Sequence, residues 1–234
     1  MNYRAVFRDT IRLFRESKLL WILGAITLVS EAIFRTSSYF IGKPPIPWLA
    51  YPLFFIALYF SFVARCSLIY STNQILSEQK PTFSEAWKFS KTKLGRIAGL
   101  YFLSIPLLMF SILIVTIVAL SEISTALTLV VDLLVAYFFL GSLFSLSLCA
   151  IVMHNLEAGR ALWLGLLIVF NNLFRVVVLN SVFLVLQIGL NALIGHALSG
   201  AFLVVPLTVT MSVAYRVFVA KDSYPTLSNT QPTA

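Results

Sequence analysis

KPTFSEAWKFSKTKLGRIAGLYFLSIPLLMFSILIVTIVAL, residues 80–120, joins two kinds of sequence end to end. Its second part, 97–120, carries no charge and as a helix is about 36 Å long, enough to cross a hydrocarbon core of ~30 Å. Its first part holds Lys80, Lys88, Lys91, Lys93 and Arg96 beside an apolar stripe of Phe83, Ala86, Trp87 and Leu94. Pro81, then Thr82 or Ser84 as cap, with Glu85 early in the first turn, starts a helix there. A basic amphipathic helix leading straight into an uncharged apolar run fits a chain that lies on a membrane and then enters it.

The rest of the chain supports that reading. Of its 234 residues 59% are hydrophobic and only 11% are charged, with a mean hydropathy of +0.93. Soluble domains need about 25% charged residues to cover their surface, so lipid must solvate most of what this chain exposes. Apolar runs at 19–35, 48–72, 97–120, 125–153, 174–194 and 198–220 predict an all-α integral membrane protein with about six transmembrane helices. The long fourth run tilts or continues into the cytoplasm. The first ends in Glu31-Ala32-Ile33-Phe34-Arg35 with no small-residue cleavage site, so it reads as a retained span. Pro52, Pro106 and Pro206 fall inside spans, where neighbouring helices can satisfy the freed carbonyls, and Pro44, Pro45 and Pro47 stiffen the first external loop.

Charge sets the expected orientation. Five Lys/Arg precede the first span (Arg4, Arg8, Arg12, Arg15, Lys18), and the five named above follow the second. Arg160 and Arg175 flank the next connection on that side, with Arg216 and Lys221 near the C-terminus. The opposite side has Arg35 and Lys43, so the count is fourteen against two, with Arg65 inside a span. Both termini are expected in the cytoplasm by the positive-inside rule, and the net charge of +8 therefore points to a membrane surface, not to nucleic acid.

Residues 3–16 place Tyr3, Phe7, Thr10, Ile11 and Phe14 at helical spacing, with arginines on another face. A third, more apolar helix is expected near 158–172, ending at Asn171-Asn172. YRAVF at 3–7, SEAWK at 84–88 and GRALW at 159–163 align on Ala5, Ala86 and Ala161, with offsets of 81 and 75 residues. The expected organisation is one transmembrane domain over 1–220, in three parallel hairpin repeats (1–78, 79–153 and 154–220) each led by an amphipathic interfacial helix, and a disordered cytoplasmic tail over 221–234.

Enzyme motifs are absent: there is no Gly-rich phosphate loop, GxSxG elbow, HExxH or Cys/His ligand cluster. No catalytic residue, cofactor or metal is expected. His154 and His196 fall at opposite ends of the spans, and Cys66 and Cys149 sit in apolar runs as packing residues. Ionisable groups inside spans are the candidates for function. Glu31, ~20 Å beyond Lys18 along a helix, and Asp132, ~10 Å in from outside, fall at similar depth in the outer half. Gln187 and Asn191 share that half, so the four form a candidate polar pocket for a proton or cation. The alternative is that Glu31 pairs with Arg35 at i, i+4. Arg65 and Arg216 share a depth near the cytoplasmic boundary and are candidate contacts for anionic lipid headgroups, or else snorkelling side chains. Gly95 and Gly99 form a GxxxG consistent with close helix packing.

The stretch SEQKPTFSEAWKFSKTKLGRIAGL around residues 78–100 and the leader SKLLWILGAITL resemble a loose group of bacterial six-span proteins. That group is similar to the membrane domain fused to some glycerophosphodiester phosphodiesterases. The resemblance implies a bacterial plasma-membrane location and a non-catalytic membrane module. No phosphodiesterase activity is implied, since that chemistry belongs to a separate soluble domain. The function expected from the sequence is a non-catalytic accessory, scaffold or lipid-interacting membrane protein. Its expected partners are anionic inner-leaflet lipids, with a second copy or another membrane protein. The competing expectation is a small-solute or ion transporter, or transport subunit, using the outer-half acids.

Overall fold

The computed structural model describes residues 3–40, 47–120, 140–194 and 196–222, and within them the chain is helical, without strands. The helices are α1 (Tyr3–Glu16), α2 (Lys18–Phe40), α3 (Pro47–Leu76), α4 (Phe83–Thr92), α5 (Leu94–Leu120), α6 (Gly141–His154), α7 (Ala158–Asn171), α8 (Leu173–Ile194) and α9 (His196–Asp222). Four stretches are long and apolar enough to cross a membrane: Lys18–Ser37, Ala50–Leu76, Leu173–Ile194 and Ala201–Ala220. A fifth is obtained if α4 and α5, bent by 50° where they meet, count as one broken span. The expected span 125–153 lies partly outside the described residues, and α6 is its described part. Of the expected tail 221–234, Lys221 and Asp222 end α9 and the rest lies outside the described residues.

Each of the short helices α1, α4 and α7 runs into a long one through a single residue: Ser17, Lys93 and Asn172. Local side-chain chemistry marks the breaks at Ser17 and Asn172. The Ser17 hydroxyl accepts the Leu20 amide at 3.4 Å, capping the start of α2. Asn172 is buried; its side-chain amide donates to the Ile168 carbonyl at 3.3 Å and its oxygen accepts from Arg175 at 2.6 Å. α4 opens with a full capping box. Thr82 Oγ1 accepts the Glu85 amide, and the Glu85 carboxylate accepts the Thr82 amide at 2.9 Å.

The other ends are also chemically defined. α3 closes with Glu78 in the left-handed region (φ 60°), while the Gln79 amide reaches back to the Gln74 carbonyl at 2.9 Å. α6 closes on Asn155 (φ 56°), a residue type that tolerates this conformation. Pro52, Pro106 and Pro206 lie inside α3, α5 and α9, all of which continue through them.

The chain gathers into two compact units, one of Asn2–Leu94 with Val182–Ala214, the other of Gly95–Ser181 with Tyr215–Ala234. In the first, α2 and α3 pack along each other. Phe34 meets Phe54 at 4.8 Å between ring centroids while Glu31 meets Ser61, so the two helices run antiparallel. A Cβ on Gly24 would stand 3.0 Å from Val205 Cγ1, which marks a close approach of α9 to α2. α3 also packs on α4 through small polar residues: Ser67 Oγ lies 2.9 Å from Ser90 Oγ and donates to the Ala86 carbonyl at 3.2 Å.

In the second unit α6 packs on α7 in a similar way. A Cβ on Gly165 would collide with Ser147 Oγ and come within 3.1 Å of the Leu143 carbonyl. The pairs Ser67–Ala86 and Ser147–Gly165 are offset by 80 and 79 residues. Of the expected GxxxG, only Gly99 makes a close approach, with its would-be Cβ 3.2 Å from Ala158 Cβ; Gly95 has nothing within 4 Å.

Candidate functional site

Along α2 the buried residues Leu20, Leu23, Thr27 and Glu31 follow one another at three- and four-residue steps, so one face of the helix is turned inward. Leu20, Leu23 and Thr27 suit that face, and Glu31, at 4% exposure, does not. A buried carboxylate is expensive unless paired and hydrogen-bonded, and here both of its oxygens are taken. Oε1 accepts from Arg35 Nε at 3.1 Å, one turn further along α2. Oε2 accepts from Arg65 Nη2 at 2.6 Å and from Ser61 Oγ at 3.1 Å, both one turn apart on α3.

The expected i, i+4 contact with Arg35 is therefore present, and a second arginine from the facing helix joins it. Two guanidinium groups against one carboxylate leave this group of side chains with one positive charge in excess. Arg65 uses one of its five N–H donors among the described residues, and its Nε is buried with no acceptor there. Its side chain is 23% exposed and that of Arg35 is 32%, so both heads keep some access to their surroundings.

This geometry revises the depths inferred from the sequence. Glu31, placed in the outer half, and Arg65, placed near the inner boundary, are salt-bridged and so lie at one level. The sequence counts Glu31 from Lys18 on α2 and Arg65 from the far end of α3, and a helix end need not mark a membrane boundary: the 30 residues of α3 make it about 45 Å long against a core of ~30 Å. Counting inward from an overlong helix end misplaces a residue by up to about 15 Å. A signal for the pairing was present in the sequence, since ionisable groups inside spans pair with one another and Arg65 was the remaining buried-run cation opposite Glu31.

The other candidates lie on other helices or outside the described residues. Gln187 and Asn191 are half-buried on α8, one turn apart in the same unit as Glu31, whereas Asp132 lies outside the described residues. Arg216, half-buried on α9, falls in the other unit from Arg65. His154 stands beside Tyr215, 5.7 Å between ring centroids. Cys66 and Cys149 are buried free thiols. Among the described residues no three His, Cys, Asp or Glu side chains are grouped to hold a metal ion.

No family model matches this sequence, and no curated protein or solved structure is similar enough to match it.

The described groove of this unit has a different character from the ion cluster. It is about 480 Å³, lies between α2 and α3, and is walled by Val29, Ile33, Leu53, Ile56, Ala57 and Phe60 among others, with Ser30 its only polar side chain. Val29, Ile56 and Phe60 are 54%, 53% and 41% exposed, so the groove opens outward. Ile26, Ile33, Phe60 and Leu53 point to one side of the hairpin, and Glu31, Arg35 and Arg65 fall at helical angles on the other.

Proposed function

We propose that this chain is a non-catalytic, six-span integral protein of the plasma membrane that acts as a lipid-interacting accessory or scaffold, with both termini in the cytoplasm. Three features support the arrangement. The order short, long, long recurs in α1–α2–α3 and α7–α8–α9, and α4–α5–α6 begins the same way. The Ser67–Ala86 and Ser147–Gly165 approaches recur at nearly one spacing. Fourteen of the seventeen Lys/Arg fall on the side assigned to the cytoplasm.

The observation that carries the choice of function is the state of Glu31. A transporter built on that acid needs a carboxylate that can take up and release a cation. Here a cation would have to displace two arginines and a serine hydroxyl from oxygens they already occupy. The basic faces of α1 and α4 suit a protein whose business is with the lipid surface.

Proton- and cation-flux assays on reconstituted proteoliposomes test this reading. The expected result is flux indistinguishable from empty vesicles, for wild type and Glu31→Gln alike. Flux that Glu31→Gln abolishes would overturn the reading in favour of a small transporter. Reporter fusions at each terminus, active only in the cytoplasm, test the orientation, and an inactive fusion at either end would refute it.

A further inference from the structure

The α2–α3 groove does not end in featureless apolar surface. Its Phe60 wall meets Trp87 of α4 at 6.0 Å between ring centroids, and Trp87 stacks on Phe83 at 5.4 Å. These three rings form an aromatic step between an apolar groove and a basic helix. Lys91 lies one turn beyond Trp87 on α4, with Lys88 beside it, and both are exposed. Trp is the residue type enriched where hydrocarbon gives way to headgroups, and Lys is the point charge suited to a phosphate there. All of these residues belong to one unit.

We infer that this groove and α4 together form a binding site for one anionic phospholipid of the cytoplasmic leaflet. An acyl chain lies between Val29 and Ile33 of α2 and Leu53, Ile56 and Phe60 of α3. The glycerol region rests on Trp87, and Lys88 and Lys91 hold the phosphate. The groove's volume is in the range of ligand sites, about 300–1,000 Å³, and its walls offer almost nothing to a polar ligand. Charge complementarity selects an anionic headgroup over a zwitterionic one. The inference rests on the lipid-interacting reading above and names its ligand. It also moves lipid recognition away from Arg65, whose guanidinium is engaged by Glu31.

Full-length protein in nanodiscs of phosphatidylcholine doped with phosphatidylglycerol, examined by native mass spectrometry, tests the site. Wild type is expected to retain phosphatidylglycerol in preference to phosphatidylcholine. Each lysine near an anionic headgroup is worth about fivefold, so Lys88→Ala/Lys91→Ala should weaken retention ~25-fold, and Lys88→Arg/Lys91→Arg should restore it. Val29→Trp, at an exposed wall position, should weaken retention by filling the groove, with circular dichroism and size exclusion confirming the fold. Wild type that retains no phosphatidylglycerol overturns the lipid-interacting reading and the site together. Retention unchanged in both the lysine and the Val29 variants overturns the site alone. Weakening by the lysine change but not by Val29→Trp overturns the groove, because surface attraction then accounts for everything. Equal retention of the two lipids overturns the charged headgroup contact.

Discussion

Replacing Glu31 by Gln keeps the shape of the side chain and removes one charge, which isolates what the ion cluster contributes. Arg35 and Arg65 would then face a neutral amide, and Ser61 would still have an oxygen to donate to. Removing one partner of a buried ion pair costs about 3–5 kcal/mol, because the remaining charge is left uncompensated. Glu31 is 4% exposed, but the guanidinium side chains are 23% and 32% exposed and can turn toward water or phosphate. That access reduces the cost, and about 2–3 kcal/mol is expected, at or below the lower end of that range. The measurement is equilibrium unfolding in mixed micelles or steric trapping in bicelles, run as a double-mutant cycle with Arg65→Gln. The two changes should not add: the interaction energy should be at least about 1 kcal/mol, as for residues that share a network. Glu31→Leu/Arg65→Met should recover much of the loss, since apolar replacement of a buried pair is often neutral or stabilising. A cost for Glu31→Gln below about 0.5 kcal/mol, the level of an ordinary surface change, would refute the idea that this cluster holds the α2–α3 hairpin in register.

The helix ends and contacts give three further outcomes. Thr82→Ala should cost about 1 kcal/mol of α4 stability by removing its N-cap, seen as faster amide exchange over 83–86 with little change elsewhere. The hydrogen bonds from Thr82 hold the Glu85 carboxyl below its ordinary range. Its stabilising effect is therefore complete above that range and is lost as pH falls through the depressed value. Protection of α4 should fall on acidification in wild type and lose that dependence in Glu85→Gln. Gly165→Ala should destabilise by about 1–3 kcal/mol, since its Cβ meets Ser147 Oγ and the Leu143 carbonyl, a backbone atom that cannot step aside. Gly189→Ala, with nothing within 4 Å, should instead be neutral or stabilise α8 by up to about 1 kcal/mol. Thermal unfolding of the two glycine variants side by side makes the comparison, and equal effects would defeat it.

Much of the helix pattern was legible because it depends on features local in sequence. Uncharged runs set the long helices, Thr82 and Glu85 the start of α4, and arginines spaced by three or four the face of α1. The described ends of α2, α5, α8 and α9 fall within a few residues of the apolar runs that predict them. The ends of α3 were less legible: its last turn, Asn73–Leu76, is polar enough to read as loop yet continues helical until the left-handed Glu78 stops it. The site was only half legible. Glu31 stood out as an acid in an apolar run, and its i, i+4 arginine could be read directly. Its tie to Arg65 depends on how far α3 slides along α2, and nothing in either helix's own pattern states that offset. The contact of Ser67 with Ala86 and Ser90 was hidden for the same reason, because a serine in an apolar span looks alike whether it bonds its own turn or another helix.

The sliding offset also bears on where the ion cluster sits in the membrane, and depth can be measured. If α4 lies at the cytoplasmic interface, the part of α3 that crosses it, Ser67 to Tyr70, marks the inner boundary. The Glu31–Ser61 hydrogen bond sets the level of α2 against α3, so Ser67 and Tyr70 correspond to Ala25 and Ile22. Val29 is then four to seven residues into the core, about 6–10 Å deep, and Ile33 lies about 12–17 Å deep, near the middle. Counting from Lys18 instead puts Val29 about 16 Å deep, at the middle, and Ile33 about 22 Å deep, on its way out. Val29 and Ile33 are 54% and 40% exposed, so nitroxide labels at either position can report immersion without entering the packed interior. On the α4-based level, power saturation should show Ile33 deeper than Val29, with Glu31 and Arg65 in the inner half. A Val29 label as deep as the Ile33 label, or deeper, would return the cluster to the centre or outer half. It would also mean that α4 does not lie at the interface but enters the membrane as the first part of a span bent at Lys93.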